Sequence, residues 1–371
     1  MKVAIVHDWL VNYGGAERVV EAMLSIYPDA DIYTLVYDEK KMGKTFPKEK
    51  VHTSFLQRMP KATKLYTKFL SFMPKAFESF DLTGYDLVLC SSSCCAKGVI
   101  TSPNTAHVAY IHSPMRYAWD LFYSYKKSSG KLTRFFMDKW IPQIRLWDFV
   151  SSQRIDTLIA NSSYISRRIK KCWNREAAVI YPPVDTDRLS ANGKEAEDFY
   201  VVFSRFVPYK RIDLAISACG EMKRKLVVIG GGSQEKELKE LSQNYKDADI
   251  IFTGRISDEE VKDYLQRCKA LIFCAEEDFG IIPVEAQACG RPVIAFGKGG
   301  ALETVIDEKT GVFFKEQTVP CVKNAIEKFE TLYAQNAFKV EEIVKHAKTF
   351  STSRFCEQLK SCIDKTIENT K

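Results

Sequence analysis

ALIFCAEEDFGIIPVEAQACGRPVIAF, residues 270–296, reads as a strand, a loop, a helix and the start of a second strand. Residues 271–274 form the buried strand. The helix is expected from Pro283, which lacks the donor that would go unpaired at a first helical position. Gly290 closes that helix, and residues 292–296 begin the next strand. Between strand and helix stand Glu277, Asp278, Phe279, Gly280, Ile281 and Ile282. Their backbone amides lie at a helix N-terminus, where free donors and the positive dipole end attract phosphate. Glu277 and Glu285 bracket the loop with seven residues between them. Such a site suits a ligand with phosphate in its middle and hydroxyls at both ends. The dipole alone also favours Glu at a helix start, so Glu285 by itself leaves a structural role open.

The chain's 371 residues are enough for two domains with separate cores. Hydrophobic content of 46% with 27% charge is that of a soluble globular protein, and no apolar run approaches the ~18–20 residues that cross a bilayer. Residues 1–6 enter a strand at once and Asp8 interrupts them, which argues against a signal peptide. Cysteine number is odd at eleven, the spacings are not those of metal sites, and Cys90, Cys274 and Cys289 fall inside expected elements. Reduced cysteines and a cytoplasmic protein follow. Charge is uneven. Residues 1–184 carry 26 Lys and Arg against 16 Asp and Glu, whereas residues 185–371 carry 28 against 31. A basic first half expects an anionic partner: phosphate, a lipid surface or nucleic acid.

Strands are read at residues 2–7, 31–36, 85–90, 107–111, 156–161 and 177–181 of the first half, and at 199–204, 225–229, 250–253 and 311–314 of the second. Alternation with helices predicts two parallel, doubly wound α/β sheets, with ligands beyond the carboxyl ends of strands. Gly14-Gly15 opens a helix after the first strand, where backbone can approach a ligand closely, but GxGxxG is absent. His112 follows a strand end; His107 starts one and reads as structural. Arg205 and Lys210 fall just past another strand end, either as a surface pair or as a clamp on diphosphate. Gly230 ends a further strand. Pro182-Pro183, followed by a polar stretch, marks a domain boundary. Between Lys40 and Lys75 ten cations face the single acid Glu49, and Leu65, Tyr66, Phe69, Leu70, Phe72 and Met73 recur near helical spacing. That describes a basic amphipathic helix, either lying on an anionic membrane or packed on the core with its basic side in water.

The seven-residue spacing of Glu277 and Glu285 resembles the signature of retaining glycosyltransferases of family 4, which have the GT-B fold: two Rossmann-like domains facing a cleft, the last helix crossing back to the first. Asp278 stands where many members have Gly. The YIHSPMRYAWD stretch, residues 110–120, is similar to the histidine-bearing segment of the mannosyltransferase-like members. The resemblance implies domains at 1–184 plus about 350–371, and at 185–349. It implies Glu277 beside the donor sugar, Glu285 on ribose hydroxyls, and His112 near the donor sugar and acceptor. Arg205 and Lys210 would neutralise the departing nucleoside diphosphate. Gly14, Gly15, Gly230, Phe279, Gly280, Ile281 and Ile282 would line the donor, and the backbone of Arg255 and Ile256 would border the base. Arg116, Tyr117, Trp119 and Asp120 would line the acceptor side.

The expected activity is retaining transfer of a hexose, mannose from GDP-mannose, to a glycan or a lipid-linked (polyprenyl-pyrophosphate) acceptor in cell-surface polysaccharide synthesis. A UDP-sugar donor is the alternative. No cofactor, metal or nucleic acid is expected, and the basic residues 40–80 are the expected contact with the inner face of the plasma membrane. Three Asp-x-Asp tripeptides (29–31, 185–187 and 247–249) read as turns rather than as the metal site of the other major transferase fold. A nicotinamide-dependent oxidoreductase lacks its fingerprint here. A non-catalytic sugar-nucleotide or nucleic-acid binding module is the reading from another class.

Overall fold

The computed structural model describes residues 1–370, the side chain of Ser128 apart. Lys371, the last residue of the expected first domain, lies outside the described residues. The chain divides into two units, one running to Pro183 and resuming at Phe355, the other spanning Val184–Arg354.

The first unit holds seven parallel strands: β1 (Val3–His7), β2 (Asp31–Thr34), β3 (Val51–Thr53), β4 (Leu87–Ser92), β5 (Ala106–Ile111), β6 (Thr157–Ala160) and β7 (Ala178–Val179), in spatial order β3-β2-β1-β4-β5-β6-β7. Every residue of β1, β4 and β5 is buried, as expected of parallel strands covered on both faces. One cover is the final helix, Thr352–Thr370, whose Phe355, Leu359 and Ile363 sit in one core with Val3, Ile5 and Val108. So the chain's end returns to its first unit.

The second unit holds six parallel strands: β8 (Tyr200–Arg205), β9 (Leu226–Gly231), β10 (Ile250–Gly254), β11 (Ala270–Phe273), β12 (Val293–Phe296) and β13 (Gly311–Phe314), in order β10-β9-β8-β11-β12-β13. Both sheets therefore reverse direction of strand order at one place, between β1 and β4 and between β8 and β11. Loops leaving such neighbours part to opposite faces and open a crevice at their carboxyl ends.

Three local expectations are corrected. The helix after Gly280 spans Ile281–Ala288, so Pro283 is its third residue, not its first. No intrahelical acceptor exists for the first four amides, and proline costs nothing there. Residues 40–80 form no continuous amphipathic helix. They break into short pieces that include β3, and Phe69 leaves helical geometry at φ −91° and ψ 15°. Tyr66, Phe69 and Leu70 pack against the unit's own core and Met73 is buried, leaving Phe72 exposed. Helical spacing here reflected a series of turns lying on a core. Finally, the basic and aromatic sequence of residues 126–149 suggests a loop followed by a helix, and the chain forms two helices there, Phe122–Ser128 and Lys131–Ser152.

Candidate functional site

Beyond β11 the chain forms the loop bracketed by the two glutamates. Gly280, with φ +90°, is the residue before the helix, a left-handed conformation that L side chains resist. The loop is backed by Gly299-Gly300. Glu277 bridges to Gly299, its carbonyl accepts from the Gly300 amide at 2.8 Å, and a Cβ at Gly300 would stand 2.2 Å from the Phe279 Cα. Any larger residue there would push the loop off its seat. Glu285 rides the second turn of the helix and is 5% exposed.

Lys210 lies in the single turn Pro208–Lys210 after β8, and its Nζ meets the Glu277 carboxylate as a close ion pair. Lys210 and Glu277, 67 positions apart in sequence, are thus neighbours at the β8/β11 reversal. Arg205, at the end of β8, is exposed. Gly230 belongs to the end of β9, and Arg255 flanks Gly231 with Ile256 half-buried beside it. Phe279 is placed otherwise: its ring is buried against Phe350, centroids 5.5 Å apart, so only its backbone is available to a ligand. Ile281 and Ile282 are half-buried at the helix start.

At the corresponding reversal of the first sheet the groups are side chains. Gly14 precedes the helix Gly15–Ile26, whose Glu17 reaches the ring of His7 at 3.4 Å. The other His7 nitrogen meets the Ser91 hydroxyl and carbonyl, both at 3.1 Å, and the Ser91 hydroxyl meets His112 Nε2 at 2.8 Å. Glu17, His7 and Ser91, all buried, and the half-buried His112 form one chain of contacts. Burial pulls His7 down, but the hydrogen bond and charge of Glu17 outweigh it and the group ends above its ordinary value. Burial, then the charge of His7, drive His112 down to about 3. His112 is therefore a neutral imidazole fixed by Ser91.

Asp8, at 1% exposure, was not singled out by the sequence. Its carboxylate accepts from the amides of Ser93 (2.6 Å), Cys94 (2.9 Å), Cys95 (2.9 Å) and Ala96 (2.8 Å), holding the loop that leaves β4 against the end of β1. A carboxylate bound by four donors is satisfied and fixes the backbone around it.

The acceptor-side residues have partners of their own. The Trp119 indole donates to Asp148 at 2.7 Å, and Asp120 pairs with Arg168. Tyr117 contacts Cys94 Sγ at 3.1 Å, and Arg116 is half-buried. Asp148 is the partner of Lys97 at 2.7 Å, both buried, and it also accepts from the Trp173 indole at 2.7 Å. Of the Asp-x-Asp residues, Asp31 accepts from Tyr85, Asp185 pairs with Arg188, and Asp247 and Asp249 pair with Lys223 and Lys225. Among the described residues no three His, Cys, Asp or Glu side chains gather as a metal site. All eleven cysteines are free thiols.

A family model described as "Glycosyl transferases group 1" matches residues 184–350, and one described as "Glycosyltransferase Family 4" matches residues 13–188. The chain is 30% identical over 200 residues to the GDP-mannose-dependent alpha-(1-6)-phosphatidylinositol monomannoside mannosyltransferase of Mycolicibacterium smegmatis, covering 46% of this chain and 52% of that protein. It is 25% identical over 323 residues to the Alpha-1,3/1,6-mannosyltransferase ALG2 of Mus musculus, covering 76% and 74%. The chain spans about half the length of the first curated relatives it matches. Among solved structures, Anabaena Alr3699/HepE in complex with UDP shares the fold at a TM-score of 0.73 and 17% identity, over 98% of this chain and 100% of that one.

Proposed function

Because the chain belongs to the family 4 glycosyltransferases, matched by one family model in each half, we propose that it transfers mannose from GDP-mannose, with retention, to a glycan or lipid-linked acceptor. The observation that carries the reading is the Lys210–Glu277 ion pair set beside the Gly280 helix start. The donor's diphosphate takes Lys210, Arg205 and the amides of Gly280, Ile281 and Ile282, and Glu277 turns to the sugar. As the bond from the anomeric carbon to phosphate oxygen breaks, its electrons stay on the diphosphate, whose charge these groups stabilise. The acceptor hydroxyl then attacks the same face and passes its proton to the departing phosphate oxygen. Glu285 holds the ribose, and the neutral His112 serves the sugar hydroxyls. Arg116 and Tyr117 face the acceptor. No cofactor or metal takes part in this scheme.

Mannose and GDP are supported by the relative from Mycolicibacterium smegmatis, a GDP-mannose-dependent mannosyltransferase. A UDP-sugar is the second reading, because the HepE structures are complexes with UDP and UDP-glucose. The test offers a panel of nucleotide sugars to the purified chain with polyprenyl-pyrophosphate-linked glycan and EDTA, and measures which diphosphate is released. GDP release from GDP-mannose is the expected result. Release of UDP alone replaces the donor, and nucleotide-sugar binding without turnover reduces the protein to a binding module. Reversible loss of turnover with EDTA overturns the metal-free scheme.

A further inference from the structure

The helix Lys131–Ser152 rests only one side on its own unit. Ile141, Ile144 and Asp148 are buried, while Leu132, Phe135, Phe136, Trp140, Leu146 and Val150 stand exposed, Leu132 at 71%, Leu146 at 66% and Phe135 at 61%. Their spacing puts them along one helical face. Tyr123, on the short helix before it, is 79% exposed. Apolar side chains ranged over a whole helix mark a docking surface rather than scattered surface residues.

Charge identifies the occupant. Lys126, Lys127, Lys131, Arg134 and Lys139 lie within residues 121–140 against one acid, Asp138, which Lys126 engages at 2.6 Å. Arg134 pins the turn between the helices, donating to the carbonyls of Lys126, Lys127 and Ser129 at 2.9, 2.8 and 2.8 Å. Lys127, Lys131 and Lys139 remain exposed around the apolar face. We propose that this helix pair lies on an anionic lipid surface, with Phe, Leu and Trp in the headgroup boundary and the lysines reaching lipid phosphates. A second copy of the chain fits less well, since two such faces would set lysines against lysines, and Asp138, the one acid among them, is already engaged by Lys126. The patch takes over the role expected of residues 40–80, whose apolar side chains mostly enter the core. It does not depend on the proposed transfer reaction.

The test is flotation of the full chain with phosphatidylcholine vesicles, with or without phosphatidylglycerol and with no nucleotide or sugar present. The chain should float with the mixed vesicles, stay behind with phosphatidylcholine alone, and detach as salt rises. Lys127→Gln, Lys131→Gln and Lys139→Gln should each lower partitioning about fivefold. The double variant Leu132→Ser/Phe135→Ser should lower it more than about tenfold, with an unchanged circular dichroism spectrum. No flotation of the wild-type chain with the mixed vesicles overturns the proposal. So does flotation that survives the double variant, or a concentration-dependent dimer that the double variant dissolves.

Discussion

The two sheets share direction and strand order, yet they finish their carboxyl ends in different materials. In the first, buried ionisable side chains do the positioning: Asp8 on four amides, His7 between Glu17 and Ser91, and Lys97 against Asp148. In the second, the loops are shaped by backbone, with Gly280 and Gly300 at the decisive turns and one ion pair, Lys210–Glu277, at their centre. A backbone cradle suits phosphate, which needs donors and little shape. Buried side-chain networks hold a loop in one geometry, and they couple its stability to charge. Substitutions at these buried groups of the first unit should therefore be read out as folding, and those at the loop ion pair of the second as turnover.

All five tryptophans lie in the first unit, so their fluorescence reports its unfolding, while circular dichroism reports both units. Asp148→Leu leaves the buried Lys97 without its counter-charge and should cost the first unit about 3–5 kcal/mol. In urea the fluorescence transition should move down while a second dichroism transition stays put. If both move together, the units do not unfold separately and the contrast is lost. Lys210→Ala, and likewise Glu277→Ala, should reduce donor turnover by about 10²–10³-fold, the equivalent of ~3–4 kcal/mol of barrier, with both urea transitions unchanged. A shifted dichroism transition in Lys210→Ala would make the pair structural.

Asp8→Asn sharpens the contrast at smaller cost. It keeps the volume but weakens four amide contacts, and an expected loss of about 1–3 kcal/mol should move the fluorescence transition while the second dichroism transition stays in place. Acid probes the same unit by another route. His107 and His112 are both lowered by burial to about 3, from 6.5 in the unfolded chain. Below pH 6.5 the unfolded state binds protons that the folded state refuses, so stability falls by up to about 1.4 kcal/mol per pH unit for each histidine until about pH 3. His7 is raised, so its own contribution is present below 6.5 and lost only as pH rises through its higher folded value. Measured between pH 7 and 5, the fluorescence midpoint should drop more steeply in wild type than in His107→Gln.

What could be read beforehand follows the same division. Covered parallel strands appear as continuous apolar runs, and the residues Ser257-Asp258-Glu259-Glu260 spell a capped helix start within four positions, so both can be read locally, and the capping box is fully formed. The Glu277–Glu285 loop was legible because Gly280 and the acids lie within nine consecutive residues. Asp8 was not, since its donors stand 85 to 88 residues away and nothing at Asp8 announces them. β3 has three residues, none buried, and carries no pattern strong enough to see. The exposed face of Lys131–Ser152 was also hidden: aromatic content alone does not tell which side of a helix finds a core.

The return of the final helix has a consequence for synthesis. β1 to β7 leave the ribosome well before Phe355, Leu359 and Ile363, so the nascent first sheet must wait with one greasy flank uncovered. The second unit, continuous from Val184 to Arg354, can finish folding during that wait. A messenger truncated before codon 355 would yield a complete second half tethered to an unfinished first, a natural client for chaperones.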